Sequence, residues 1–239
     1  MSDLSALIRE LVAANRILAN ERIVDAWGHI SVRNPDNPNT YFLSRSRSPE
    51  LVEPEDIMEF DLDNRPVKDD GRPIYIERPI HGAIFAARPE VMSVVHNHCM
   101  EVLPFAVTKT EMRPVVHNAR RLGERIGVWD IRDRFGDTDM LVTTNDQGHD
   151  LAKTLGATKA VIMRGHGCAV TGLNIPDAVG CSISIKNNAT TIMNALLLGG
   201  QITYLTPGEI RDRSEGAAAS LRGHDRAWEY LCRRAGVSL

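Results

Sequence analysis

The sequence predicts an α/β protein folded as one domain, residues 1–239, and three observations carry that expectation. Runs with the two-residue alternation of strands interleave with runs of helical spacing along the whole chain, a pattern of mixed layers. No internal repeat, low-complexity stretch or Pro/Gly/Ser-rich linker divides the 239 residues. The composition, 43% hydrophobic and 25% charged, suffices for a sizeable core and argues against disorder.

Each element has a local reason. Ser2 or Asp3 caps a first helix whose apolar positions Leu4, Leu7, Ile8, Leu11 and Leu18 keep helical spacing, ending near Asn20. Residues 27–33 alternate like a strand, and the Asn/Pro/Asp cluster at 34–39 is a turn. Strands follow at 40–43 and 57–62, separated by the run Ser44-Arg45-Ser46-Arg47-Ser48-Pro49. Pro79 suits the first turn of a helix reaching about Arg88. Residues 91–98 are the most β-like run in the chain. Short helices are expected at 101–107 and 148–156, short strands at 160–163 and 168–171, a long helix from Pro176 to Leu198, and a last helix over 207–234.

Charge and cysteine usage exclude several classes. A formal charge of −3 argues against a nucleic-acid partner, and no window approaches the roughly 20 apolar residues of a membrane span. The N-terminal stretch reads as a helix and not as a signal peptide. Cys99, Cys168, Cys181 and Cys232 form no CxxC pair, so a reduced, cytoplasmic setting is expected.

The eight histidines are the informative residues. His96 and His98 close the β-like run, and positions i and i+2 of a strand face the same side, which makes half of a metal site. His166, flanked by Gly165 and Gly167, is the candidate third ligand, and Glu77 a fourth ligand or an acid/base. His29, His81, His117, His149 and His224 have no comparable partner in the sequence. Three imidazoles suit zinc, copper, iron or nickel, and added oxygen donors make manganese acceptable.

These residues resemble the class II aldolase/adducin family. The shared order is a Gly-x-x-Ser-x-Arg strand at Gly28 to Arg33, a serine-bearing loop at Ser44 to Ser48, Glu77 before a helix, Arg88-Pro89-Glu90-Val91 leading to His96-Asn97-His98, and a final His166-Gly167. The resemblance spans about residues 5 to 205 and implies a three-layer α/β/α sandwich around a mostly antiparallel sheet. It implies one divalent metal per subunit held by His96, His98 and His166, with Glu77 as acid/base and ligand when substrate is absent. It also implies a homotetramer with sites near subunit interfaces.

The departures from the family pattern point to the substrate. Sugar-phosphate members cradle phosphate with an Asn after the first Gly, a Ser/Thr-x-Ser-Gly loop and Ser-Ser before the glutamate. Here those positions read His29, Ser44-Arg45-Ser46-Arg47 and Tyr75-Ile76. An isoleucine cannot donate a hydrogen bond, whereas Arg45 or Arg47, beside Ser46, offers a planar fork for a carboxylate. The resemblance therefore implies a metal-dependent decarboxylase of a hydroxylated aromatic dicarboxylate. The nearest substrate is the pyridine 3-hydroxy-2-methylpyridine-4,5-dicarboxylate of vitamin B6 degradation, with Mn2+ favoured over Zn2+. Glu77 is the expected proton donor, with His29 second. An aldolase or epimerase of a non-phosphorylated or acidic sugar is the alternative.

Overall fold

Among the described residues, 3–211 and 224–237 of a computed structural model, seven strands form one sheet. In chain order they are β1 (His29–Arg33), β2 (Thr40–Ser44), β3 (Ile57–Asp61), β4 (Ser93–Asn97), β5 (Gly127–Trp129), β6 (Ala160–Met163) and β7 (Gly167–Gly172). Their spatial order is β3-β2-β1-β4-β7-β6-β5, antiparallel throughout except for the parallel β5–β6 pair. The helices are α1 (Leu4–Asn20), α2 (Pro79–Ala87), α3 (Pro104–Val107), α4 (Arg132–Phe135), α5 (Asn145–Leu155), α6 (Ile175–Leu197), α7 (Pro207–Arg211) and α8 (His224–Arg234). None of these is long and apolar enough to cross a membrane.

Alternation along the strands produces the three expected layers. Ile30, Val32, Phe42, Val95, Ile162 and Val170 join a core shared with α1, α6 and α8. Their neighbours Tyr41, Leu43, Val94, Val161 and Ala169 join a second core with α2 and α5 on the opposite face. His29 and Ser31 of β1 and His96 of β4 fall on this second face by the same alternation. The register pairs His29 directly with His96, so two histidines far apart in sequence become cross-strand neighbours.

The expected elements recur with small changes. Asp3 caps α1, its carboxylate accepting the Ala6 N–H at 3.0 Å. Trp27 and Gly28 fall outside β1, because Asp25 accepts both of their N–H groups and holds a turn there. β4 stops at Asn97, placing His98 in the following turn. β5 was not foreseen; its three residues, led by a glycine, carry too little alternation to read. Of the helix expected over 207–234, α7 and α8 are seen, and residues 212–223 lie outside the described ones.

Arg33 ties the two faces of the site together. Its buried guanidinium donates to the carbonyls of Val91 at 3.0 Å, Pro38 at 2.5 Å, Phe85 at 2.6 Å and Arg88 at 3.1 Å. It thereby joins β1 to the end of α2 and the approach to β4. Lysine cannot span four acceptors from one ammonium. Arg33→Lys is expected to cost about 1–3 kcal/mol, read as a lower midpoint in urea with an unchanged m-value.

Candidate metal centre and its pocket

Four elements bring one ligand each to a single point. His96 comes from β4 and His98 from the turn after it. His166 comes from the β6–β7 turn, and Glu77 from the loop before α2. The glycines beside His166 are required: Gly165 has φ +66°, and a Cβ on Gly167 would lie 2.1 Å from the Asn97 carbonyl oxygen. One ligand atom from each of Glu77, His96, His98 and His166 lies within 4.8 Å of the others. His96 Nε2 is 3.1 Å from His98 Nε2 and 3.4 Å from Glu77 Oε2, and His166 Nε2 is 3.3 Å from that oxygen.

The outward nitrogens decide which way these rings face. His96 Nδ1 meets the Cys168 carbonyl at 3.3 Å, and His166 Nδ1 the Met140 carbonyl at 2.9 Å. His98 Nδ1 meets the Asp25 carboxylate at 3.1 and 3.2 Å. These oxygens only accept, so each Nδ1 carries a hydrogen and Nε2 is the nitrogen each ring turns toward the shared point. A metal would be taken through these Nε2 atoms once they are deprotonated, together with a Glu77 oxygen. Ligands held about 2.1 Å from a shared ion in tetrahedral or octahedral arrangement lie roughly 3.0–3.4 Å apart. The residues fit a divalent metal. Glu77 is buried, and its Oε1 accepts the Val142 N–H at 2.9 Å. Burial pushes its carboxyl upward, but the imidazoles of His166 and His96 bring it well below the usual carboxylate range.

Glu77, His98 and His29 line a pocket of about 600 Å³, a size for a small molecule. Its wall also includes Ser46, Arg47 and Ser48 and the side chains of Trp27, Tyr75 and Ile76. Arg45 is not in that wall. The buried carboxylate of Asp56 holds both arginines, accepting from Arg45 Nε and Arg47 Nη1 at 2.6 Å each and from the Glu53 N–H at 2.9 Å. Burial pushes the Asp56 carboxyl up, and these donors bring it below its ordinary value. The Tyr75 hydroxyl donates to the Arg47 carbonyl, so it is spent on shaping the loop.

Behind His29 lies a buried polar chain. His29 Nδ1 is 2.6 Å from His81 Nε2, and His81 Nδ1 is 2.6 Å from Ser31 Oγ. Burial pushes the His81 ring down to about 3, aided by the charge of His96 and opposed by that of Glu77. Sequence reasoning missed Asp25, Asp56, Ser31 and His81. The Glu77-to-His81 spacing of one helical turn was the one available signal for His81.

Residues 9–193 match the family described as Class II Aldolase and Adducin N-terminal domain. The chain is 35% identical to decarboxylase tropJ of Talaromyces stipitatus, covering 95% of this chain and 92% of that protein. It is 26% identical to 3,4-dihydroxyphthalate decarboxylase of Arthrobacter keyseri, covering 85% of each. Among solved structures, the L-fuculose 1-phosphate aldolase of Glaciozyma antarctica superposes with a TM-score of 0.76 at 22% identity, covering 96% of this chain and 90% of that one.

Asp25→Ala removes the acceptor that orients His98 and is expected to weaken divalent-metal binding about 10–100-fold, measured by competition with a chromogenic chelator. The buried neutral state of His81 also sets an acid limit. The unfolded ring takes a proton below about pH 6.5, whereas the folded ring does not until about 3. Stability therefore falls as pH drops through that window. His81→Gln should show a shallower fall of Tm between about pH 7 and pH 5 than the wild type.

Proposed function

Because the chain belongs to the class II aldolase and adducin family, we propose that it is a metal-dependent decarboxylase of a hydroxylated aromatic dicarboxylate. At the coarser level it is a lyase-type enzyme of that family acting on a small molecule. The observation that carries the finer reading is one pocket lined by Glu77 and His98 of the His/Glu cluster and, with them, by Arg47. The Ser-Ser pair of the phosphate pattern has no counterpart at 75–76, since Ile76 offers no side-chain donor and the Tyr75 hydroxyl is engaged with the loop. The similarity to a dihydroxyphthalate decarboxylase supports the same class of substrate. The pyridine 3-hydroxy-2-methylpyridine-4,5-dicarboxylate belongs to that class and is the ring we put first. Mn2+ is the proposed ion and Zn2+ the alternative, since Glu77 and substrate oxygens add hard donors to three imidazoles. A homotetramer fits the exposure of Trp27 and Ile76 beside the pocket, which a neighbouring subunit would cover. With four free cysteines, all buried, the cytoplasm is the proposed location.

His96, His98 and His166 would hold the metal, with Glu77 as a further ligand only until substrate binds, and the metal would supply Lewis-acid stabilisation of negative charge on a substrate oxygen. Arg47, braced by Asp56, holds the carboxylate that is retained and so orients the ring. Arg45 acts through Asp56, outside the pocket wall. Trp27, Tyr75 and Ile76 flank the ring, and water is excluded there once a neighbouring subunit covers the exposed Trp27 and Ile76. Glu77 Oε2 takes the proton of the ring hydroxyl and returns it to the carbon bearing the departing carboxylate. The C–C bond to that carboxylate then breaks as carbon dioxide leaves. Its electron pair returns through the ring to the oxygen, which solvent reprotonates.

The deciding assay follows carbon dioxide release from the pyridine dicarboxylate and from 3,4-dihydroxyphthalate, against aldehyde release from acidic sugars. Glu77→Gln should lower kcat by about 10²–10⁴-fold while metal stays bound. Arg47→Ala should raise the KM for the dicarboxylate about tenfold or more, with a smaller effect on kcat. Full turnover in Glu77→Gln, or aldehyde release without carbon dioxide, would overturn the reading.

A further inference from the structure

The steps above leave the buried chain behind His29 unused. Ser31, His81 and His29 are each at most 2% exposed, and the links between them are 2.6 Å long. Among the described residues the Ser31 hydroxyl has His81 Nδ1 as its hydrogen-bond partner and no other. A buried O–H left without an acceptor is costly, so the serine donates and His81 Nδ1 accepts. The neutral His81 ring then carries its hydrogen on Nε2 and donates it to His29 Nδ1. The neutral His29 ring must in turn carry its hydrogen on Nε2. That nitrogen has no hydrogen-bond partner among the described residues, and the side chain lines the pocket. The opposite polarity would leave the serine proton without an acceptor in the interior.

We propose that Ser31 and His81 are positioning residues that lock His29 in the Nε2–H tautomer, making it a fixed hydrogen-bond donor to an anionic oxygen of the substrate, a carboxylate or a phenolate. This revises the role expected for His29 as a second proton donor to carbon. Surrendering the Nε2 hydrogen would leave an imidazolate, and no neighbour in the chain stands ready to resupply Nδ1 without stripping the serine. His29 therefore binds and orients, and Glu77 keeps the proton transfer. A donor at this place meets the family departure noted at Gly28-His29, where a ring replaces an amide. The identity of the anion rests on the decarboxylase reading; the tautomer does not.

The test is a long-range 1H–15N correlation spectrum of 15N-histidine protein loaded with Zn2+, with His29 and His81 assigned from His29→Gln and His81→Gln samples. Both rings should be neutral and protonated at Nε2 near neutral pH. A His29 ring protonated at Nδ1, or doubly protonated, would overturn the proposal. Ser31→Ala should let both rings populate the other tautomer and raise the substrate KM about tenfold, with kcat changed less than about threefold and metal content unchanged. Ser31→Thr, which keeps the hydroxyl, should retain the wild-type tautomers. Unchanged tautomers in Ser31→Ala would remove Ser31 from the role. The spectra need no substrate, so a failure of the carbon dioxide assay would sink the substrate reading and leave this result standing.

Discussion

Everything around the pocket is organised by the crowding of three imidazole nitrogens and a carboxylate within 4.8 Å of one another. Four donors placed this closely suit a shared cation, which would bind the rings through deprotonated nitrogens. The cluster's geometry is set from behind. Two carbonyls and the Asp25 carboxylate accept from the three Nδ1 positions. A backbone N–H at Val142 steadies the glutamate. The cost of holding the ligands together is met by the stiffness of the sheet and by α2, which Arg33 fastens to β1 and β4 through four carbonyls.

The two faces of the sheet have been put to different uses. One is a continuous apolar core against α1, α6 and α8. The other interrupts its apolar packing with His29, Ser31 and His96, and α2 supplies His81 to meet them. Polar groups buried this deeply survive only when each finds a partner. The result is a site assembled on strands and a helix, with the arginine loop braced separately by Asp56. The His/Glu cluster and the arginine loop thus rest on different supports.

Much of this was legible in the order of residues. The α/β class, the cap at Asp3, the helix start at Pro79 and most strands follow from local periodicity and turn chemistry. His96, His98, His166 and Glu77 were found as a set from strand spacing, flanking glycines and a family resemblance. The departure from the family's Ser-Ser pattern was visible at Tyr75-Ile76. These are short-range properties, and a short-range reading reaches them.

Only the tertiary structure decided the partners. Asp25 and His98 are separated by most of a sheet's worth of sequence, as are Ser31 and His81, and no periodicity links such pairs. Arg45 and Arg47 look equivalent in the sequence, yet Arg47 stands in the pocket wall and Arg45 outside it, the first held by Asp56 through Nη1 and the second through Nε. His29 shows the distinction most clearly: its place on a strand was readable, but its role depends on which nitrogen carries the hydrogen. That is set by a serine and a second histidine brought near by strand alternation and helix packing. A hydrogen-bond polarity is a property of a network in space, and a linear sequence does not contain it.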